Sequence, residues 1–296
     1  MPTAREYMLA LSEAIGPRVA GTPNEAKAAQ YIEAAFKQIG YVTFTQPFTF
    51  TTTADPARTL SSANVVAVKT GQSAREIIVG AHYDSVDAGS RGADDNASGV
   101  AVMLKVASRI REAQTPYTVR FVAFGAEEVG DKGSGYYVSH MGAADVRNTL
   151  TMIDLDSLVA GDIAYVYGDV SGKGITRDSV LEMAKNEGYD LRTQMGENPD
   201  YPAGTTGPWS DHAPFNSIGI PYVYFEATNW GLGKKDGWTQ VNEELGDKGE
   251  IWHTPYDTLQ YIDTTFPGRI DQHLKLFVAV LYNTLTPIQI VRLDSH

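Results

Sequence analysis

The feature that most constrains the fold is a series of short, continuous apolar segments that alternate with helix-like patterns. Six of these segments are predicted strands: 64–68, 77–81, 119–124, 149–155, 163–167 and 220–226. A strand that is apolar on both faces must be buried on both, so the sheet needs helices above and below it. The predicted helices are 23–39, where Gly40 ends the pattern, 97–113, 174–188 and 267–285. The pattern predicts an α/β fold, a three-layer sandwich whose mostly parallel, twisted central sheet has helices on both faces.

The length of the chain fits one large domain. It has 296 residues, of which 43% are hydrophobic, and this is enough for a sizeable α/β core. No low-complexity linker divides the sequence. The longest stretch that lacks a clear period, residues 228–256, is expected to be a functional loop. We therefore expect residues 1–296 to form a single catalytic domain.

Composition narrows the partners and the available chemistry. The formal net charge is −12, and so acidic a surface repels phosphate backbones and anionic lipids, which makes nucleic acid and membranes poor candidate partners. No segment reaches the roughly 18 apolar residues that are needed to span a bilayer. Because the chain has no cysteine, any metal ion must be held by histidine, aspartate and glutamate side chains.

Acidic residues and a histidine collect where the predicted strands end. They are His82, Asp84, Glu127, Glu128, Asp154, Asp156 and Glu226. Ligands of parallel sheets bind beyond the carboxyl ends of the strands. These side chains therefore mark one edge of the predicted sheet as a candidate site.

Two of the motifs have an ordinary and a functional interpretation. A histidine after a strand, such as His82, is usually a surface or satisfied core residue, and the acidic segment 92–99 (GADDNASG) is usually a turn before a helix. However, Asp84 lies two residues after His82 and can accept the other ring N–H of a metal-bound histidine. Asp95, in the acidic segment, can bridge two cations.

The adjacent glutamates Glu127 and Glu128 follow a buried strand, where like charges repel each other and lose hydration. Such a pair is ordinary at a solvated helix start, but here the preceding segment is buried. Neighbouring side chains cannot point the same way. One carboxylate can bind a cation while the other faces the water on that cation, and the cation then offsets the repulsion.

Together the motifs give a set of two imidazoles and three carboxylates: His82, Asp95, Glu128, Asp156 and His253. Spacing alone leaves His212 as an alternative to His253. Without thiolates the set suits Zn²⁺, and less specifically Mn²⁺ or Co²⁺. Two divalent ions would balance three carboxylates and one bridging hydroxide, whereas a single ion would leave the cluster strongly anionic. We therefore expect two Zn²⁺ per chain.

The sequence resembles metallopeptidase family twenty-eight, the co-catalytic zinc aminopeptidases. The resemblance lies in six segments that occur in the family's order: GAHYDS, DDNASG, FGAEEVG, IDLDS, SDHAPF and WHTPYDT. Three more segments look like the bacterial alkaline phosphatase isozyme conversion aminopeptidase subgroup, and that likeness covers most of the chain: NPDYPAGTTG, EATNWGLGKKDG and FPGR. The resemblance implies a zinc-exopeptidase-like fold. It also implies that Asp95 bridges both zinc ions, that His82 and Asp156 complete the first site, and that Glu128 and His253 complete the second.

The family pattern makes Glu127 the general base and Asp84 the residue that orients His82. Two positions depart from it: some members have arginine where this chain has Trp209, and tyrosine where it has Trp252. Those residues help hold the substrate carbonyl as negative charge develops. Stabilisation of that charge would here depend mostly on zinc, aided by the indole N–H of Trp252.

A substrate pocket is predicted near these motifs. Its candidate walls are Tyr201, Trp209 and Trp252, although aromatic residues at this density are more often simply core. Glu226 could attract a basic first residue of the substrate, arginine or lysine, and the subgroup resemblance favours that preference.

We therefore expect a secreted metalloprotease, a di-zinc aminopeptidase that hydrolyses the N-terminal peptide bond of peptides or proteins with a free N-terminus. The alternatives are a carboxypeptidase or aminoacylase relative, a single-zinc glutaminyl-cyclase-like acyltransferase, and a catalytically dead binding ectodomain of the same fold. The start of the chain lacks the apolar stretch of a signal peptide. The expected location is extracytoplasmic, secreted or periplasmic, with a cytoplasmic location as the alternative.

Overall fold

A computed structural model describes residues 1–53, 56–87, 89–168 and 175–286, and seven of their segments form one mixed sheet. The strands are β1 Val42–Thr51, β2 Thr59–Lys69, β3 Ser73–His82, β4 Tyr117–Phe124, β5 Thr149–Leu155, β6 Ile163–Gly168 and β7 Tyr222–Thr228. Their order across the sheet is β1-β2-β4-β3-β5-β7-β6. The four central strands β4, β3, β5 and β7 are parallel, and β1, β2 and β6 pair antiparallel. The expected α/β fold is confirmed, and the antiparallel pairs are a feature that the sequence did not indicate.

Helices cover both faces of the sheet. They are α1 Ala4–Leu9, α2 Pro23–Ile39, α3 Gly99–Ile110, α4 Lys132–Ser139, α5 Ala143–Asn148, α6 Arg177–Glu187, α7 His212–Ser217, α8 Leu259–Thr265 and α9 Arg269–Leu285. Two π-type turns, Ala10–Ile15 and Ala93–Ser98, follow α1 and precede α3. Among the described residues, no helix is both long and apolar enough to cross a membrane.

The continuous apolar strands are explained by burial on two sides. Val65 and Ile77 pack into the larger core, on the face covered by α2, α3 and α9. Their neighbours Val66 and Ile78 point the other way and pack with Phe215 of α7 in a second core. Because successive side chains of a strand alternate between faces, both faces had to be apolar.

The capping residues of α2 explain where this helix begins and ends. The Thr22 side chain accepts the backbone N–H of Glu25, Pro23 occupies the first turn, and Gly40 ends the helix with a positive φ of 104°. The expected helix 174–188 is observed as α6, and its residue 174 lies outside the described residues.

The sequence analysis missed α1 and β1, and also the short helices α4, α5, α7 and α8. The helix α1 carries a capping box between Thr3 and Glu6, a recognisable signal. The strand β1 contains Pro47, which argues against a central strand. Its place at the sheet edge resolves the conflict, because an edge strand tolerates the missing N–H.

Strand register brings the functional segments together. His82, at the end of β3, is opposite Phe124, the last residue of β4, and Gly80 is opposite Asp154 of β5. The three parallel strands therefore end side by side. The long segment from β7 to α8, expected as a functional loop at 228–256, runs as turns along the same edge and carries His253.

Candidate metal centre and active site

Five side chains converge at the carboxyl edge of the parallel strands. Their donor atoms form two groups, and within each group these atoms all lie within 4.8 Å of one another. One group is His82, Asp95 and Asp156, and the other is Asp95, Glu128 and His253. Asp95 belongs to both groups, so the cluster consists of two three-donor sites that share one carboxylate.

The two oxygens of Asp95 face different histidines. Oδ1 lies 3.1 Å from Nε2 of His82, and Oδ2 lies 3.0 Å from Nε2 of His253. The remaining carboxylates complete the two sides: Asp156 Oδ1 is 3.3 Å from His82 Nε2, and Glu128 Oε2 is 3.1 Å from His253 Nε2. A carboxylate placed in this way can bridge two divalent cations.

The cluster attracts positive charge strongly. Burial acts to lower the pKa of His253, but hydrogen bonds to Asp95 and Glu128 outweigh it and raise this pKa to about 11. Burial also acts to raise the pKa of Asp95, and the two histidines hold it below its ordinary value instead. Burial and the charge of Asp95 raise the pKa of Glu128 to about 7. The same attraction would favour divalent cations.

Glu127 lies at the inner wall of the site. Its Oε2 is 3.9 Å from His82 Nε2, farther than the oxygens of Asp95 and Asp156. The side chain is buried and lines the cavity described below. Burial raises the pKa of Glu127 well above its ordinary value, so its carboxyl can accept a proton readily. Glu127 also forms a donor group with His82 and Glu128, so proximity alone does not separate a base from a ligand here.

Asp84 lies beside the His82 ring and accepts hydrogen bonds from the backbone of the glutamate pair. Its Oδ1 accepts the backbone N–H of Glu127 at 2.9 Å, and its Oδ2 accepts that of Glu128 at 3.1 Å. Oδ1 lies 3.6 Å from Nδ1 of His82, which is too long for a hydrogen bond. Asp84 is thus adjacent to His82, as expected, but its hydrogen bonds orient the backbone of Glu127 and Glu128.

A buried acid that the sequence analysis did not single out supports the same turn. Glu25 of α2 accepts the backbone N–H of Ala126 at 3.1 Å and that of Gly21 at 2.6 Å. Ala126 immediately precedes the glutamate pair and has a positive φ of 56°. Burial and the charge of Asp84 raise the pKa of Glu25 to about 7. An acidic residue in the first turn of a helix is common, so the sequence around Glu25 carries no signal of this role.

The structure distinguishes His212 from His253, the two histidines that spacing alone left as alternative metal ligands. His212 donates its backbone N–H to Asp154, its Nδ1 is 3.1 Å from that carboxylate, and its Nε2 is 3.2 Å from the Gly207 carbonyl. Its ring stacks on Tyr224 and packs at a tilt against Tyr222. His212 and Asp154 therefore pair with each other, and neither belongs to the donor groups found among the described residues.

The cluster opens into a cavity of about 300 Å³. Trp209, Trp252 and Glu226 line it, as expected of pocket residues. Tyr201 does not line it and instead packs behind Trp209, with ring centroids 5.5 Å apart. The sequence analysis missed Trp238, which lines the cavity, packs against Trp209 and Trp252, and is 39% exposed.

Two polar groups of the cavity wall differ in their hydrogen bonding, because one has partners and the other has none among the described residues. The Glu226 carboxyl is buried and accepts hydrogen bonds from the hydroxyls of Tyr167 at 2.8 Å and Tyr224 at 3.0 Å. Burial raises the pKa of Glu226 to about 8. By contrast, the buried indole N–H of Trp252 has no acceptor among the described residues. A buried donor without a partner is costly.

Comparison with known proteins identifies relatives of most of the chain. The profile of peptidase family M28 matches residues 64–278. The chain is 35% identical over 283 residues to the alkaline phosphatase isozyme conversion protein of Escherichia coli, covering 87% of this chain and 82% of that protein. It is 29% identical over 232 residues to aminopeptidase YwaD of Bacillus subtilis, covering 76% of this chain but only 45% of YwaD.

Solved structures share the fold at low identity. The zinc aminopeptidase BSAP of Bacillus subtilis superposes with a TM-score of 0.75 at 20% identity, covering 96% of this chain and 94% of that one. The glutaminyl cyclase of Porphyromonas gingivalis superposes with a TM-score of 0.71 at 21% identity, covering 96% of each chain. At these identities the superpositions establish the fold and leave the reaction to be argued from the site.

Proposed function

The chain belongs to peptidase family M28, and from that premise we propose that it hydrolyses the N-terminal peptide bond of peptides or proteins by means of two zinc ions. Membership of this family identifies the chain as a metallo-aminopeptidase, a hydrolase of peptide bonds. The observation that supports a two-metal centre is the pair of three-donor groups that share Asp95. A site for one ion would need only one of them.

The donor chemistry fits zinc. The first site would be held by His82, Asp95 and Asp156, and the second by Asp95, Glu128 and His253. Imidazole and carboxylate donors in groups of three, with room left for a water or substrate, are typical of catalytic zinc sites. When bound, the ions would lower the pKa of a shared water and polarise the scissile carbonyl.

Glu127 would act as the general base. Its carboxylate takes a proton from the attacking water and later gives it to the amine of the leaving peptide. Its buried position suits this task, because burial favours the protonated form that must exist between the two transfers. The backbone N–H groups of Glu127 and Glu128 donate to the Asp84 carboxylate. These two hydrogen bonds would hold the base and a metal ligand at a fixed separation.

The cavity would bind the first residue of the substrate. The Trp252 indole N–H would donate to the substrate carbonyl oxygen as negative charge develops on it. Glu226, a buried carboxyl in the cavity wall, would favour a lysine or arginine first residue, because the bound cation would lower the raised pKa of Glu226 and hold the carboxylate ionised. The volume of about 300 Å³ suits one side chain rather than an extended peptide.

The proposal treats residues 1–296 as one catalytic domain, which is supported by a core that runs from Ala4 of α1 to Leu285 of α9. A secreted or periplasmic location stays a prediction.

Glu127→Gln tests the mechanism. The amide keeps the size of the side chain but cannot act as a base, so kcat on aminoacyl anilides should fall at least about 100-fold. Zinc content and the melting temperature should remain those of the wild type. Chelation should inactivate the wild type and added zinc should restore it. Retained turnover in the variant would contradict the role of Glu127.

Glutaminyl cyclisation is the second candidate, because a glutaminyl cyclase shares this fold and the fold by itself does not choose between the two reactions. Assay of the same preparation on a peptide with N-terminal glutamine separates the two. Release of the first residue supports the aminopeptidase, whereas loss of ammonia with the peptide bond intact supports the cyclase.

A further inference from the structure

Gln240 links two loops that carry donors of the metal centre. It is fully buried, and both ends of its amide are used. Oε1 accepts the backbone N–H groups of Ile251 at 2.9 Å and Trp252 at 2.8 Å, immediately before His253. Nε2 donates to Oδ2 of Asp94 at 2.7 Å, immediately before Asp95. The segments that carry Asp95 and His253 are therefore joined through the side chain of Gln240.

Asp94 extends the link to a third loop. Its Oδ1 accepts the backbone N–H groups of Val159 at 2.7 Å and Ala160 at 3.0 Å, just after Asp156. Its own backbone N–H donates to Asp257 at 2.6 Å. The Asp94 side chain is fully buried. None of these contacts is made by a donor of the centre, so they act on the position of the donors through the backbone.

The direction of the Gln240–Asp94 hydrogen bond is fixed. A flipped amide would turn its NH₂ towards the N–H groups of Ile251 and Trp252, and its oxygen towards the Asp94 carboxylate. Both contacts would be repulsive, and unsatisfied buried groups of this kind are costly.

We propose that Gln240 and Asp94 are positioning residues that set the distance between Asp95 and His253, and thereby the zinc affinity of the second site. This inference rests on the proposed ligand set. Gln240 is assigned to the second site because it contacts the backbone just before His253, a ligand of that site alone. Its contact with Asp94 reaches the Asp95 loop, which both sites share.

The test reverses the hydrogen bond. Asp94→Asn alone puts two amide NH₂ groups face to face, and Gln240→Glu alone puts two carboxylates face to face. The double variant D94N/Q240E restores a donor opposite an acceptor and keeps the net charge. The introduced carboxylate still accepts from Ile251 and Trp252, and the introduced amide oxygen still accepts from Val159 and Ala160.

Zinc binding to each full-length variant is measured by calorimetry, with zinc content by mass spectrometry. The wild type is expected to bind two ions. Each single variant should lose about 10- to 100-fold in affinity at one of them, the usual effect of removing a partner that orients a ligand. The double variant should recover most of that loss. Gln240→Met, which removes both ends of the link without a repulsive contact, should weaken the same ion and covers the case in which a single variant fails to fold.

Gln194 provides a matched control. It is buried, its Nε2 donates to the carbonyls of Pro202 at 2.6 Å and Thr205 at 2.9 Å, and its Oε1 accepts from Gly196 at 2.5 Å. Its loop carries no donor of the centre, so Gln194→Glu should lower the melting temperature of the zinc-free protein and leave both zinc affinities unchanged.

Three results would overturn the inference: single variants and Gln240→Met that bind both ions like the wild type, a double variant that regains its melting temperature but not its zinc affinity, or a Gln194→Glu that loses the same ion. A wild type that binds fewer than two zinc ions would instead refute the proposed function, and the inference with it.

Discussion

Replacement of Trp252 by phenylalanine removes one polar group from the cavity, the indole N–H, and leaves an aromatic ring in the wall. In the described residues this N–H is buried and has no acceptor. Removing it therefore breaks no hydrogen bond of the folded protein. If the N–H donates to the substrate carbonyl only as charge develops there, its loss affects the transition state and not the fold.

The magnitudes differ for activity and for stability. Loss of one donor to a developing oxyanion typically lowers kcat by about 10²- to 10³-fold, or about 2.7–4 kcal/mol. For stability, the smaller ring forfeits buried apolar area worth on the order of 1 kcal/mol. Relief of an unpaired buried donor returns about 1–3 kcal/mol. The second contribution is at least as large as the first, so the free energy of unfolding should stay unchanged or rise by up to about 2 kcal/mol.

The assay compares kcat and KM on aminoacyl anilides with zinc content and the melting temperature. Trp230→Phe is the matched control, because the buried Trp230 N–H donates to the Tyr167 hydroxyl at 2.7 Å. That control should lose about 0.5–1.5 kcal/mol of stability and keep its kcat on a leucyl substrate. An unchanged kcat in Trp252→Phe, with both zinc ions retained, would refute the role of the indole as a donor.

Two further predictions concern buried acids. Glu226→Gln should abolish any preference for arginyl or lysyl over leucyl anilides by raising KM for the basic substrates alone; an equal effect on all three would show that Glu226 acts only as a structural partner of its tyrosines. Burial raises the pKa of Glu25 from 4.5 to about 7, so its ionisation opposes folding. The stabilisation that Glu25 provides below about pH 4.5 should therefore be lost as the pH rises through about 7, by up to about 3 kcal/mol. Denaturant unfolding from pH 4.5 to 8 should show the wild type losing stability relative to Glu25→Gln across that window, and parallel curves would contradict the assignment.

The sequence predicted the central sheet because burial leaves a strong signal. The segments that became β3, β4 and β5 are apolar on both faces, and only a sheet covered on both sides buries them. The outer strand β1 escaped notice because threonines and Pro47 make it look unlike a core strand. The antiparallel direction of the outer strands was not predicted either, because the sequence of an edge strand does not record which way its neighbour runs.

In the candidate site, too, the sequence indicated some residues and gave no signal for others. His82, Asp95, Glu128 and Asp156 stand out because each is a charged or polar residue where an apolar segment ends or a helix begins. His253 lies in a long loop, where spacing alone could not choose between it and His212. The family resemblance selected His253, and in the fold this residue, rather than His212, reaches Asp95. Gln240 and Glu25 carry no such signal. Their importance lies in which backbone N–H groups they accept, and those partners are distant in sequence.

The central claim is that two zinc ions share Asp95. Anomalous diffraction at the zinc edge from crystals of the zinc-loaded protein tests it most directly. Two peaks are predicted, both at about 2.0–2.2 Å from Asp95 oxygens, one also in contact with His82 and Asp156 and the other with Glu128 and His253. A single peak, or a peak bound by His212 and Asp154, would contradict the claim.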